Sequence, residues 1–182
     1  NVEALSLLVS EDTPLVGIEP SALLSLRDEY PALVRQTLKD KARQLAKHSL
    51  LIDEVIVREH EAGRISSAQF TDEARSIRLH GHCHQKALTG TAATLAMLSI
   101  PKNFTVSEIP SGCCGMAGSF GYEKEHHALS MKIGELILFP EVRKTAPTTL
   151  LSAPGTSCRH QILDGTGRKA VHPVEILTEA LK

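Results

Sequence analysis

The sequence predicts an α/β fold: a parallel sheet of about five strands with helices on both faces. Two observations carry that expectation. Short β-rich runs alternate with stretches whose apolar residues recur at spacings of three and four. The chain also has 182 residues, of which 42% are hydrophobic, enough to bury a real α/β core without disulfides.

In order, the pattern predicts a helix before Ser10, a strand at 14–18, a helix after Pro20, helices at 33–47 and 52–61, and a strand at 76–80. A helix at 88–98, strands at 104–109, 148–153 and 169–171, and helices at 122–139 and 174–181 complete it. In 122–139, Leu129, Ile133, Leu136 and Ile137 form a stripe expected to face the core, and Pro140 is expected to stop the helix. The charged region 33–69 shows no strand and reads as a helical hairpin at the sheet edge, with Gly63 ending its second helix. One weak internal echo exists. Leu15-Val16-Gly17-Ile18-Glu19-Pro20-Ser21-Ala22 and Leu151-Ser152-Ala153-Pro154-Gly155-Thr156-Ser157-Cys158 both run from an apolar strand through a proline turn into Ser and a helix.

Composition excludes several functions. Lys plus Arg total 20 against 21 acidic residues, a formal charge of −1, so no field exists to hold nucleic acid or an anionic membrane. Six aromatics and no Trp argue against a base-stacking surface. Asp53, Glu54 and Arg58 interrupt the most apolar stretch, leaving no membrane span. No signal peptide is legible, and Asn-Val-Glu-Ala-Leu reads like a start inside a longer protein. Four cysteines, unevenly placed, suit a reduced compartment with metal or redox chemistry, so a cytoplasmic location is expected.

All four cysteines, Cys83, Cys113, Cys114 and Cys158, fall where a predicted strand gives way to a loop or helix. The carboxyl ends of parallel strands share one edge, so these thiols are expected to converge in one crevice. Seven of nine histidines lie in the same half: His80, His82, His84, His126, His127, His160 and His172. Neighbouring thiolates such as Cys113 and Cys114 do not readily take two corners of one Zn tetrahedron and fit better on different irons of a cluster. The loop from Gly112 through Gly115 and Gly118 to Gly121 brings backbone amides close to sulfur, which stabilises negative charge. It lacks the Gly-Lys-Ser/Thr ending of a phosphate loop. From spacing alone, a metal or cluster site, reactive thiols and inert buried cysteines all stand.

Gly112-Cys113-Cys114-Gly115, with His82-Cys83-His84-Gln85 before it and Pro154-Gly155-Thr156-Ser157-Cys158 after it, resembles the cysteine-rich CCG domain. That domain is found in heterodisulfide reductases and in the iron–sulfur portion of FAD-linked 2-hydroxy-acid dehydrogenases. The runs Glu19-Pro20-Ser21, Leu26-Arg27-Asp28-Glu29-Tyr30 and Cys114-Gly115-Met116-Ala117-Gly118-Ser119-Phe120-Gly121-Tyr122-Glu123 are closer to the second group, the D-lactate and glycolate dehydrogenase type. The resemblance implies a Rossmann-like duplicated domain cut within its first half: 1–32 ending the first half, 33–75 a helical insertion, and 76–182 the complete second half. It implies a metal or iron–sulfur site held by Cys83, Cys113, Cys114 and Cys158, with Gly112, Gly115 and Gly118 around the cofactor. Ala22 and Gly155 stand where this family usually has cysteines. With four thiols, a [4Fe-4S] cluster, a Zn site completed by a histidine, and a site without metal are the alternatives.

The same resemblance implies FAD only in the parent protein. Its partners would be the parent's FAD and ferredoxin-like parts and a quinone or cytochrome acceptor, with the parent at the inner face of a membrane. An electron-transfer module that does not itself oxidise 2-hydroxy acids is the expected function; a Zn-stabilised interaction domain and a thiol enzyme are the alternatives. His82 and His84, flanking Cys83, are expected to point away from it along an extended strand. His160 is expected to point away from Cys158, His126 and His127 to be solvated, and His172 to form a turn. An apolar edge at 15–18 leads to the expectation of a homodimer or a disordered N-terminal segment.

Overall fold

A computed structural model describes residues 1–182. The chain begins with α1 (Val2–Leu5), β1 (Leu15–Gly17), α2 (Pro20–Arg27), α3 (Glu29–Leu33), α4 (Lys39–Lys47), β2 (Ser49–Leu51) and α5 (Ile52–Glu61). It continues through β3 (Arg75–Leu79), α6 (Cys83–Leu88), α7 (Ala92–Leu98), β4 (Phe104–Glu108), α8 (Lys124–Leu136) and α9 (Leu138–Lys144). It ends with β5 (Leu150–Ser152), α10 (Thr156–Thr166), β6 (Ala170–Val171) and α11 (Pro173–Thr178). No helix is long and apolar enough to cross a membrane.

The fold is α/β with parallel strands, but they form two sheets and not the single sheet of about five strands expected. One pairs β1 with β2; the other has the order β4-β3-β5-β6. The difference arises at β2, which lies inside the region read as helical without a strand. Its run Ser49-Leu50-Leu51 is too short for a periodicity to register. Ser49 is buried there because its hydroxyl donates to the Leu45 carbonyl at 2.7 Å. In the larger sheet the chain steps from β3 to β4 on one side and returns to β5 on the other. The crevice beyond the carboxyl ends of β3 and β5 is therefore a topological switch point, where open α/β sheets place their sites.

Each sheet has its own core. Leu24, Leu45 and Leu51 lie under the small sheet, and Ile77, Met97 and Leu98 under one side of the large one. Cys114 and Cys158 belong to the apolar cluster on its other side, with Ile109, Phe139, Leu151 and Ile162. Polar ties join the sheets. The Thr156 amide donates to Glu19 Oε2 at 2.8 Å, and His172 Nε2 donates to the Ile18 carbonyl at 3.0 Å. Between α5 and α7, Gln85 Nε2 donates to Asp53 Oδ2 at 3.1 Å and to Thr94 Oγ1 at 2.9 Å; Thr94 itself donates to Asp53. Burial pushes the Asp53 carboxyl up despite these donors.

The 122–139 helix differs from expectation in two respects. It breaks at Ile137, whose φ of −144° is not helical, and Pro140 sits in the first turn of α9, where a missing N–H costs nothing. The Leu129/Leu136/Ile137 stripe faces outward, Leu136 being 76% exposed. The inward face of α8 instead carries Ser130 and Gly134. Small residues are required there because the tip of the Phe139 ring lies against both Gly134 and Gly165 of α10. A Cβ at either glycine would overlap the ring.

Candidate metal centre

Three strand ends build the site. After β3 the chain passes through His80, Gly81 and His82 to Cys83, the first residue of α6. After β4 it enters the loop bearing Cys113 and Cys114. After β5 it turns at Pro154-Gly155 into α10, whose third residue is Cys158. All four thiols are free, Cys114 and Cys158 buried, Cys83 and Cys113 half-buried.

The thiols form a connected row. Cys113 lies within hydrogen-bonding reach of both Cys83 and Cys114, and Cys114 reaches Cys158. The Cys114 and Cys158 sulfurs and one ring nitrogen of His80 all lie within 4.8 Å of one another. Sulfur-to-sulfur hydrogen bonding dominates the proton affinities along the row. Donation from Cys114 and Cys83 pulls the Cys113 thiol far down, aided by the Gly115 and Ala117 amides, and donation from Cys114 likewise lowers Cys158 against its burial. Cys83 and Cys114, as the donors, are pushed up, with burial adding to the effect. Negative charge is thus favoured at Cys113 and Cys158.

The glycine loop provides this geometry. Gly115 has φ +102°, and a Cβ on it would run into the Ser130 carbonyl, so only glycine lets the loop lie against α8 and aim its amide at Cys113 Sγ, 3.3 Å away. Gln161 Nε2 donates to Ser130 O at 3.1 Å and Oγ at 2.9 Å, tying α10 to α8 beneath this contact. Gly118 makes a positive-φ turn beside Ala117, while Gly112 stands in open space. The Gly112 carbonyl accepts from Lys86 Nζ at 3.1 Å, and the Ser111 carbonyl accepts from the same ammonium.

The histidines divide differently from expectation. His82 does not point away from the site: it is buried, its ring against Gly155, where an added Cβ would meet His82 Cδ2 at 2.5 Å and Cys158 Sγ at 3.2 Å. An imidazole therefore fills the space in front of Gly155. The reason is that the strand ends at Leu79, so the alternation assumed for an extended segment does not reach residue 82. His84 leaves the site toward Glu29 Oε1, 3.5 Å away. His160 pairs with the Tyr122 hydroxyl at 2.6 Å, His126 stacks on Phe120, and His127 is exposed. His172 caps α11 by accepting from the Val174 amide at 3.2 Å. Ala22 is exposed on α2.

Sequence reasoning gave His80 no role. It is fully buried, its Nδ1 lies 2.7 Å from Ser111 Oγ, and its Nε2 has no partner; His82 Nδ1 is also buried and unpartnered. Buried ring nitrogens without partners next to converging thiols are what a metal centre requires. The one signal available was position, at the end of the strand that delivers Cys83.

No family model matches the chain, and no solved structure matches it. Among curated proteins it is similar to D-2-hydroxyglutarate dehydrogenase of Escherichia coli (strain K12), 31% identical over 172 residues, which cover 93% of this chain and 16% of that protein. It is also similar to one subunit of the anaerobic glycerol-3-phosphate dehydrogenase of the same organism, 26% identical over 182 residues, covering 100% of this chain and 44% of that subunit. The D-2-hydroxyglutarate dehydrogenase of Haemophilus influenzae is 28% identical over 191 residues, covering 99% of this chain and 17% of that protein. The chain spans 16–17% of the length of the D-2-hydroxyglutarate dehydrogenases and 44% of the glycerol-3-phosphate dehydrogenase subunit.

Proposed function

We propose that this chain is an iron–sulfur electron-transfer module of a larger, FAD-linked dehydrogenase acting on a 2-hydroxy acid, with Cys83, Cys113, Cys114 and Cys158 as ligands. The observation that carries the reading is the convergence of four free thiols and the buried His80 ring at three strand ends around the switch-point crevice. The similarity to two kinds of dehydrogenase supports the redox setting, and the relatives named for D-2-hydroxyglutarate support a 2-hydroxy acid as the parent's substrate class. Residues 76–182 hold every proposed ligand, with 1–75 as support.

A cluster bound here would accept and pass on single electrons. The chain's own part is to hold and tune. Its thiolates carry the negative charge, the Gly115 and Ala117 amides stabilise the sulfur of Cys113, and the apolar packing around Cys114 and Cys158 excludes water from the inner side. Cys83 and Cys113, half-exposed, form the side open to a redox partner. The FAD and ferredoxin-like parts of the parent, a quinone or cytochrome acceptor, and a cytoplasmic face for the whole are the proposed surroundings.

The test is anaerobic purification followed by iron and acid-labile sulfide analysis. A brown protein with both, bleached by dithionite and inert toward D-lactate, glycolate and D-2-hydroxyglutarate in dye reduction, is the expected result. Colourless protein holding stoichiometric zinc would make the site structural. Substrate-dependent dye reduction by the purified chain would overturn the module reading.

A further inference from the structure

We propose that His80 is a ligand of this centre, its imidazole joining Cys114 and Cys158 on the buried side, so that the inner half of the site is a nitrogen–sulfur donor set. The inference rests on the metal-centre reading above and assigns a residue that the cysteine pattern does not contain.

Three observations converge on it. First, His80 lies at the end of β3 with its ring out of solvent; Nδ1 is held by Ser111, while Nε2 makes no well-formed hydrogen bond and the ring adjoins the Cys158 thiol. Second, Ser111 orients the ring. Ser111 Oγ stands 2.7 Å from Nδ1 and 3.4 Å from the Ile109 carbonyl, so the hydroxyl is anchored and fixes the orientation of the ring. A hydroxyl fixed beside Nδ1 in this way is the kind of outer hydrogen bond that orients metal-bound histidines. Third, the His80 nitrogen and the two sulfurs lie mutually within 4.8 Å. Neighbouring ligands of one metal site stand about 3.5–3.8 Å apart, given metal–sulfur and metal–nitrogen bonds of about 2.3 and 2.0 Å, so the three donors are close enough to serve one centre.

The adjacent cysteines fall into place with this assignment. Cys114 reaches inward to Cys158 and Cys113 outward to Cys83, so the neighbouring thiolates serve different sides of the site. His80 supplies the donor that the buried side otherwise lacks. His82 is not a member of the three-donor group; its ring stands over Gly155.

Cobalt(II) added anaerobically to the purified chain reads the donor set directly, because it occupies thiolate and imidazole sites and shifts the proton resonances of its ligands. Expected are thiolate-to-cobalt charge-transfer absorption and one strongly shifted imidazole N–H resonance, present in H2O, lost in D2O, and split when histidine is 15N-labelled. That resonance should persist in His82→Ala and vanish in His80→Ala and His80→Gln, with Co2+ affinity falling about 10–100-fold. Ser111→Ala should keep the resonance but speed its exchange with water. Charge-transfer bands without a shifted exchangeable imidazole proton in the wild-type chain would overturn the His80 assignment while leaving the metal centre standing. Absence of any thiolate-bound cobalt would instead remove the metal centre and the His80 assignment with it. Loss of the resonance in His82→Ala would assign it to His82 and overturn the proposal, so the wild-type and His82→Ala spectra together decide the question even if the His80 variants do not fold.

Discussion

Two turns of this molecule have nearly the same sequence logic and opposite uses. In the first, β1 runs through Glu19 and Pro20 into α2; in the second, β5 runs through Pro154 and Gly155 into α10. Ala22 and Cys158 are each the third residue of their helix, yet Ala22 is exposed and Cys158 is 1% exposed. The first turn directs its polar groups at the second. Glu19 accepts from the amide of Thr156 and from the Ser21 hydroxyl at 2.9 Å, and the Ile18 carbonyl accepts from His172. The second turn, held from outside in this way, is free to turn its cysteine inward. A strand–proline–helix turn is thus a frame, and what it does follows from which neighbour satisfies its backbone.

Changes on the two turns should separate these roles. The largest effect belongs to the second: Cys158→Ser should reduce iron and sulfide retained after anaerobic reconstitution by about 10–100-fold or more, whereas an equal loss from Ser21→Ala would erase the distinction. Glu19→Ala removes the acceptor for the Thr156 amide and the carboxylate at the α10 N-terminus. It should lower stability by about 1–2 kcal/mol in urea unfolding and weaken cluster retention only in proportion. Burial raises the Glu19 carboxyl, but the Thr156 and Ser21 donors outweigh it and the net shift is downward, so its contribution is present above the ordinary Glu range and lost as pH falls through the lowered value.

His172 gives a smaller, pH-dependent effect of opposite charge logic. Burial lowers its pKa below the ordinary 6.5, and the Val174 amide bonded to Nδ1 requires the neutral ring. Its contribution is complete above that value and is lost as pH falls below it, by about 1 kcal/mol. Unfolding curves at pH 7.5 and 5.5 check this, and His172→Asn, which preserves a side-chain cap, should flatten the difference. The smallest effect is expected for Ala22→Cys: one additional thiol that reacts rapidly with a disulfide reagent, unchanged metal content, and stability within about 0.5 kcal/mol. If the thiol introduced there were instead protected and metal content rose, the first turn would also be part of the site.

Much of the site's position was legible because it follows from topology. Cysteines at the ends of parallel strands share an edge whatever the details of packing, and the glycines at 115 and 118 announced a loop in tight turns. What was not legible depended on neighbours distant in sequence. β2 exists because β1 is available to pair with it, and nothing local in Ser49-Leu50-Leu51 says so. The α8 stripe was assigned to the wrong side because apolar periodicity finds a face but not what covers it: the covered face is small, set by Gly115 and Phe139 pressing from outside the helix. His80 was missed because its significance lies in a lone unpartnered nitrogen, which only coordinates reveal.

The Phe139 ring, lying against both Gly134 and Gly165, couples positions that look independent and replaceable along the chain. Both glycines lie within helices, where alanine is normally an improvement, yet here the methyl group would have to displace an aromatic ring that is wholly enclosed. In a survey of random single substitutions, these two sites should be nearly as intolerant as the cysteines, although they contribute no chemistry. A drift to alanine at either would be open only to descendants whose Phe139 had already become smaller. The order in which such changes accumulate is therefore constrained, and the helix that carries Cys158 inherits that constraint through a contact far from any sulfur.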